Sequence, residues 1–229
     1  MTGVLINAGT IIAGSLAGLF LRRGLSDRMR KTLMQALGLC VIMIGISGAV
    51  GTQNTLCVIV CMVIGTVIGT AVNIEKQLDR LGKFAERKLA GNGEQSIAKG
   101  FVTASLIFCV GAMAIVGSLE SGLKGDHSTI VSKAIIDGVT SMILAGTMGI
   151  GVILSAAAVF VYQGLIVMLA GVLAPVLTDA VINEMSATGG LLIVGIGLNM
   201  LFEDKHFAVG NMLPAIFLPM AYIPFTGLF

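Results

Sequence analysis

The 229-residue sequence contains no tryptophan, two tyrosines, two histidines and four prolines, and only 11% of its residues are charged. Each scarcity excludes something. A soluble domain carries about a quarter charged residues, so this chain cannot cover itself with a solvated surface. Without tryptophan it also lacks the indole belt common at membrane interfaces. A net charge of +2 says nothing in itself about nucleic acid, which is not an expected partner; what matters in such a chain is where the basic residues fall. His127 and His206 fall in separate loops, and GxSxG, HExxH and GxGD motifs are absent from the chain. No hydrolase or metal constellation can be assembled from these residues, so neither an enzyme nor a cofactor is expected. Cys40, Cys57, Cys61 and Cys109 lie in apolar runs at no zinc-like spacing and read as buried thiols.

What the chain has instead is 56% hydrophobic residues, a mean hydropathy of +0.99 and 31 glycines. That composition specifies an all-α integral membrane protein with closely packed helices, whose first partner is the lipid bilayer. The first apolar run, Val4–Leu21, is preceded by no basic residue and followed by Arg22 and Arg23. It reads as a retained span with its N-terminus outside. Arg22, Arg23, Arg28, Arg30 and Lys31 then form a basic, cytoplasmic loop. A second span (33–50), a polar turn (51–54) and a third span (55–74) make an antiparallel hairpin. The polar segment 75–99 has Ile74, Leu78, Leu81, Ala85 and Leu89 at helical spacing, which predicts an amphipathic helix on the inner membrane surface.

The fourth span is expected as one helix over Phe101–Leu119, followed by an outer loop to Lys133. The run 134–174 holds one charge, Asp137, and is too long for one span. It divides at Gly146-Thr-Met-Gly-Ile-Gly151 into a fifth and a sixth span, or into one span and a half-membrane segment. A seventh span ends at Leu201, and an eighth begins at Phe207 and is kinked by Pro214, Pro219 and Pro224. About eight spans result, with seven as the alternative count.

Residues 25–48 and 177–200 align at a constant offset of 152, pairing Asp27 with Asp179, Gly38 with Gly190, and Gly45 with Gly197. The connection is basic in the first copy and acidic in the second, and five crossings separate equivalent helices. Both features predict an inverted-topology repeat. The expected organisation is a first repeat of three spans (1–74), a cytoplasmic amphipathic linker (75–99), central spans (100–152) and a second, inverted repeat of three spans (153–229).

With FCVGAMAIVGSLESGL (Phe108–Leu123), KAIIDG (Lys133–Gly138), GTMGIG and LTDAVINEMSATGGLLIVGIGLNML in view, the chain resembles a bacterial inner-membrane family, the YdfK- and YqgA-like proteins. The resemblance runs over essentially the full length. That family is grouped as a domain of unknown function, so the resemblance implies a multi-pass inner-membrane protein and lends no substrate and no functional residue.

Acidic groups at membrane depth are functional candidates by default. Asp137 is expected about one turn into its span with Lys133 four residues earlier, placed either to form a salt bridge near the outer boundary or to bind a coupling ion. Glu120 ends the fourth span beside Ser118 and Ser121, nearer the water interface. Asn7 and Thr10 in the first span, with Ser47 and Asn199 at matched repeat positions, can line a pathway or join helices by hydrogen bonds. Gly146, Gly149 and Gly151, with Thr147, can expose backbone groups in a discontinuous helix. The pairs Gly14/Gly18 and Gly65/Gly69 read as close packing or a dimer seam. These features favour a small secondary transporter that moves a small polar solute or ion by alternating access between inverted repeats. The alternatives are a passive channel, formed by a homodimer along the glycine faces, and a non-transport membrane partner or sensor.

Overall fold

The computed structural model describes residues 1–22, 26–78, 80, 97–202 and 207–226. Among the described residues all regular structure is helical, as lipid demands, since a lone helix satisfies its own backbone groups without water. The helices are α1 (Thr2–Arg22), α2 (Asp27–Ala49), α3 (Thr55–Val72), α4 (Ile97–Cys109), α5 (Ala112–Leu123), α6 (Ser128–Met148), α7 (Gly151–Met168), α8 (Ala170–Leu173), α9 (Asp179–Leu201), α10 (Val209–Met212) and α11 (Pro219–Thr226). A 3-10 turn, Leu213–Ile216, precedes α11. Six helices, α1, α2, α3, α6, α7 and α9, are long and apolar enough to cross a membrane alone.

Three expectations are adjusted. The fourth span is not one helix: α4 and α5 meet at 63° across Val110 and Gly111. Gly111 has φ +126°, a backbone conformation that a side chain opposes and that ends α4. Counted as one broken span, this pair makes seven crossings. The run 134–174 does form two full helices, so the half-membrane alternative does not hold. Gly149, at φ +85°, makes the turn between them. The last apolar stretch, Val209–Pro224, is shorter than a span and is interrupted where Pro214 opens the 3-10 turn. The amphipathic surface helix falls largely on residues 79 and 81–96, and it lies, with His206, outside the described residues.

The chain divides into two compact units. The first comprises Met1–Leu33, Leu78–Cys109 and Met113–Gly171; the second comprises Met34–Gln77, Val110–Ala112 and Val172–Phe229. In the first unit α1 and α6 run parallel in backbone contact. Gly3 faces His127 and Ile130, Gly14 abuts the Gly138 carbonyl, and Gly18 abuts the Met142 carbonyl. The Gly14/Gly18 face is thus used within the chain. Helices α4 and α7 are likewise parallel, with Gly151 against Ile97 and Phe101, and Gly122 of α5 sits on Val167 and Ala170.

In the second unit α2 and α9, each 23 residues long, run antiparallel. A Cβ on Gly45 would lie 2.6 Å from the Gly190 carbonyl oxygen, and one on Gly197 would lie 2.8 Å from that of Gly38. Helix α3 packs antiparallel to the segment after it in this unit, with Gly65 on Ala215 and Gly69 on the Asn211 carbonyl. Gly69→Ala forces a methyl into backbone that cannot rotate away, and is expected to cost about 1–3 kcal/mol in thermal unfolding of the detergent-purified protein. Gly9→Ala, with nothing within 4 Å of the added carbon, is the control and should be neutral or slightly stabilising.

Candidate functional site

Helix α6 starts at Ser128, earlier than the charge pattern of the preceding loop indicates. Asp126 Oδ1 accepts the Ser128 backbone N–H at 2.9 Å, a bond that also holds the Asp126 carboxyl below the usual carboxylate range. Glu120 accepts the Thr129 hydroxyl at 2.7 Å, tying α5 to the first turn of α6. Because α6 begins here, Asp137 lies about 14 Å along a helix of about 31 Å. It sits near the middle of the span and not near its outer boundary.

Lys133 and Asp137 form an ion pair one turn apart on α6, with only 6% and 4% of their surfaces exposed. Around them three other helices supply partners. Asn7 of α1 donates to Gln163 of α7, Nδ2 to Oε1 at 3.1 Å, and both residues are fully buried. Asn7 lies one turn before Thr10, which packs on Gly138, the residue after Asp137. The Phe108 ring, fully buried at the end of α4, has its centroid 6.0 Å from Lys133 Nζ, within cation–π range. Cys109, beside the helix break, is close enough to interact with both charges, and Tyr162 neighbours Cys109.

The pair is electrically neutral, which is how two charges become tolerable at membrane depth. Hydrogen bonding is less complete. Asn7 Oδ1 and Gln163 Nε2 are buried without a partner. Turning both amides over would exchange the atoms without changing the balance, since one bond between two amides always leaves one acceptor and one donor over. A buried unsatisfied group costs about 1–3 kcal/mol, so two within one amide pair are a substantial local expense.

The other expected residues lie elsewhere. Thr147 is buried, but its hydroxyl bonds the Ile143 and Leu144 carbonyls of its own helix. Gly146 faces the Gly18 carbonyl, Gly149 is the turn and lies against the Arg22 guanidinium, and Gly151 is covered by α4. Glu120 is half-buried on Thr129. Ser121 meets His127 Nδ1 at 2.8 Å, a serine–histidine contact that sequence spacing did not assemble. Among the described residues no three His, Cys, Asp or Glu side chains are grouped to hold a metal ion. Ser47 and Asn199 belong to the second unit, where Ser47 is exposed. Asn199 bonds both the N–H and the carbonyl of Phe207, at 2.7 and 2.8 Å, and so closes the connection after α9.

Two polar residues not singled out in the sequence are among the most deeply buried. One is Gln163, a lone amide in the run VFVYQGLIV. The other is Glu184, which lies in the second turn of α9 with 1% exposure. Its carboxylate accepts from the Thr52 hydroxyl (2.6 Å) and from the backbone N–H groups of Gln53 (2.8 Å) and Asn54 (3.2 Å), anchoring the α2–α3 turn.

Comparison with known proteins places the chain. It is 33% identical over 228 residues to the "Uncharacterized membrane protein YdfK" of Bacillus subtilis (strain 168), covering 97% of this chain and 96% of that one. It is 29% identical over 225 residues to the "Uncharacterized protein YqgA" of Escherichia coli (strain K12), covering 95% and 94%. No solved structure matches. The family described as "Protein of unknown function (DUF554)" matches residues 2–223. With apolar helices long enough to cross a bilayer and that match over nearly its whole length, this chain is a membrane protein and belongs to the DUF554 family.

Proposed function

We propose that this protein is a small secondary transporter, working by alternating access, in which the Asn7–Lys133–Asp137–Gln163 cluster binds the solute. The observation that carries the reading is a buried, mid-span ion pair bordered by an unpaired donor and acceptor and by a broken helix. Discontinuous helices beside buried charges are how transporters present polar groups within lipid. The inverted repeat is part of the same proposal. Four repeat-matched glycines support it: Gly38 meets Gly197 and Gly45 meets Gly190, the reciprocal pattern of a two-fold axis. We place the protein in the bacterial inner membrane with its N-terminus outside and its basic connections cytoplasmic, as the distribution of arginine and lysine favours.

Purified protein in liposomes tests this directly. Gradient-driven uptake by the native protein should be lost in Asp137→Asn, falling to the level of empty vesicles. Unchanged uptake removes Asp137 from the mechanism. Ion leakage without any gradient and without saturation would replace the carrier by a channel. Both GxxxG faces are already packed within the chain, so a dimeric channel would need another seam.

A further inference from the structure

We propose that the solute of this site is a small zwitterion, one carboxylate and one ammonium a few bonds apart. Its carboxylate is taken by Lys133 Nζ and Gln163 Nε2, and its ammonium by Asp137 and Asn7 Oδ1. The inference rests on the transport reading and specifies its substrate class.

Charge gives the first argument. Lys133 and Asp137 neutralise each other in a buried setting. Adding a lone anion or cation would leave an uncompensated charge there, at a desolvation penalty of several kcal/mol per ion. A zwitterion adds no net charge. Its two ends replace, for each residue, the partner lost when the Lys133–Asp137 contact opens.

Hydrogen bonding gives the second argument independently. The Asn7–Gln163 pair leaves one free donor and one free acceptor, both on fully buried residues, so that a ligand offering one acceptor and one donor satisfies both. A simple anion would use the donor and strand the acceptor, and a simple cation the reverse. A neutral amide would use both but would leave the ion pair closed, with its charges unread. Phe108 adds a place for the Lys133 ammonium as it leaves Asp137, because its ring already lies within cation–π range. Cys109, next to Phe108 in the chain, is a thiol and supplies no fixed charge to unbalance the pair.

Five probes separate these classes: glycine and L-alanine as zwitterions, acetate, methylammonium and acetamide. Binding to the full-length protein in detergent is read by thermal shift and by calorimetry. Glycine or alanine should raise the melting temperature and bind saturably, and acetate, methylammonium and acetamide should not. Gln163→Glu keeps the acceptor used by Asn7 but removes the free donor, and should weaken zwitterion binding about tenfold or more. Asp137→Asn should turn the preference toward acetate, and Lys133→Gln toward methylammonium. A purely structural ion pair would lose stability in those variants with no reversal of preference. Failure of both zwitterions to bind overturns the substrate class, as does stronger binding by acetamide. In liposomes the two readings part: uptake of acetate or methylammonium under a gradient with no zwitterion uptake keeps the transporter and discards the zwitterion, and passive leakage alone discards both.

Discussion

Lys133→Met should destabilise the protein by about 3–5 kcal/mol, the penalty for stripping a buried charge of its counter-ion. Asp137 is 4% exposed and its surroundings in the cluster otherwise offer the neutral amide of Asn7 and the ring of Phe108. The double variant Lys133→Met/Asp137→Leu removes both charges together and should recover most of that loss, since apolar packing often replaces a buried ion pair at little cost. Unfolding followed in detergent across this double-mutant cycle gives the coupling directly. Uptake measured on the same three variants should be absent in all of them. That combination, stability recovered and transport still lost, marks a pair retained for function. A single variant within about 1 kcal/mol of the native protein would mean that Asp137 finds water or another partner on losing Lys133.

Glu184→Ala is the second large effect. Its carboxylate takes a hydroxyl and two backbone N–H groups of the α2–α3 turn, and the Asn183 amide besides. Alanine deletes the carboxylate that these part-buried donors share, and about 3 kcal/mol should be lost, because a hydrogen bond to a charged group contributes about 1.5–3 kcal/mol. Glu184→Gln keeps one acceptor and should fall between alanine and the native protein. Glu120→Gln is the matched control: this carboxylate is half-buried on a single hydroxyl, so the change should stay within about 1 kcal/mol. Thermal unfolding reads all three. If Glu184→Ala proved as mild as the control, the turn would be held by the α3 cap alone, where Asn54 Oδ1 accepts the Cys57 N–H.

What could be read from the sequence was what is local or periodic. Lys133 and Asp137 are four residues apart, so any helix through them brings them together, and composition alone demanded that helix. Asn7 stood out as an amide inside an apolar run. Gln163 stands out by the same rule, but its partner is 156 residues away, and no spacing connects them. The start of α6 was hidden because Ser128, Thr129 and Lys133 look like loop, and their hydrogen-bond and ion-pair partners, not their polarity, decide that they are helical. The α4–α5 break was hidden for a different reason. Gly111 sits among residues that suit a helix, and a glycine in such a run can stay helical or turn; its φ of +126° depends on packing. The run Gly146–Gly151 has the opposite history: it looked special because it has three glycines, and two of them serve backbone-to-backbone contact.

Those contacts restrict how the first unit can deform. Where Gly14 and Gly18 lie on the carbonyls of α6, and Gly151 on that of Ile97, the helices interlock at single-atom clearance. Sliding one past another would drive Cα hydrogens over carbonyl oxygens, so shear is mechanically blocked and each helix pair moves as a stiff lever. Bending is then left to interruptions without such a lock, among them Gly111 and Gly125. A Cβ at either would meet nothing within 4 Å, and Gly111 follows Cys109 by two residues in the chain.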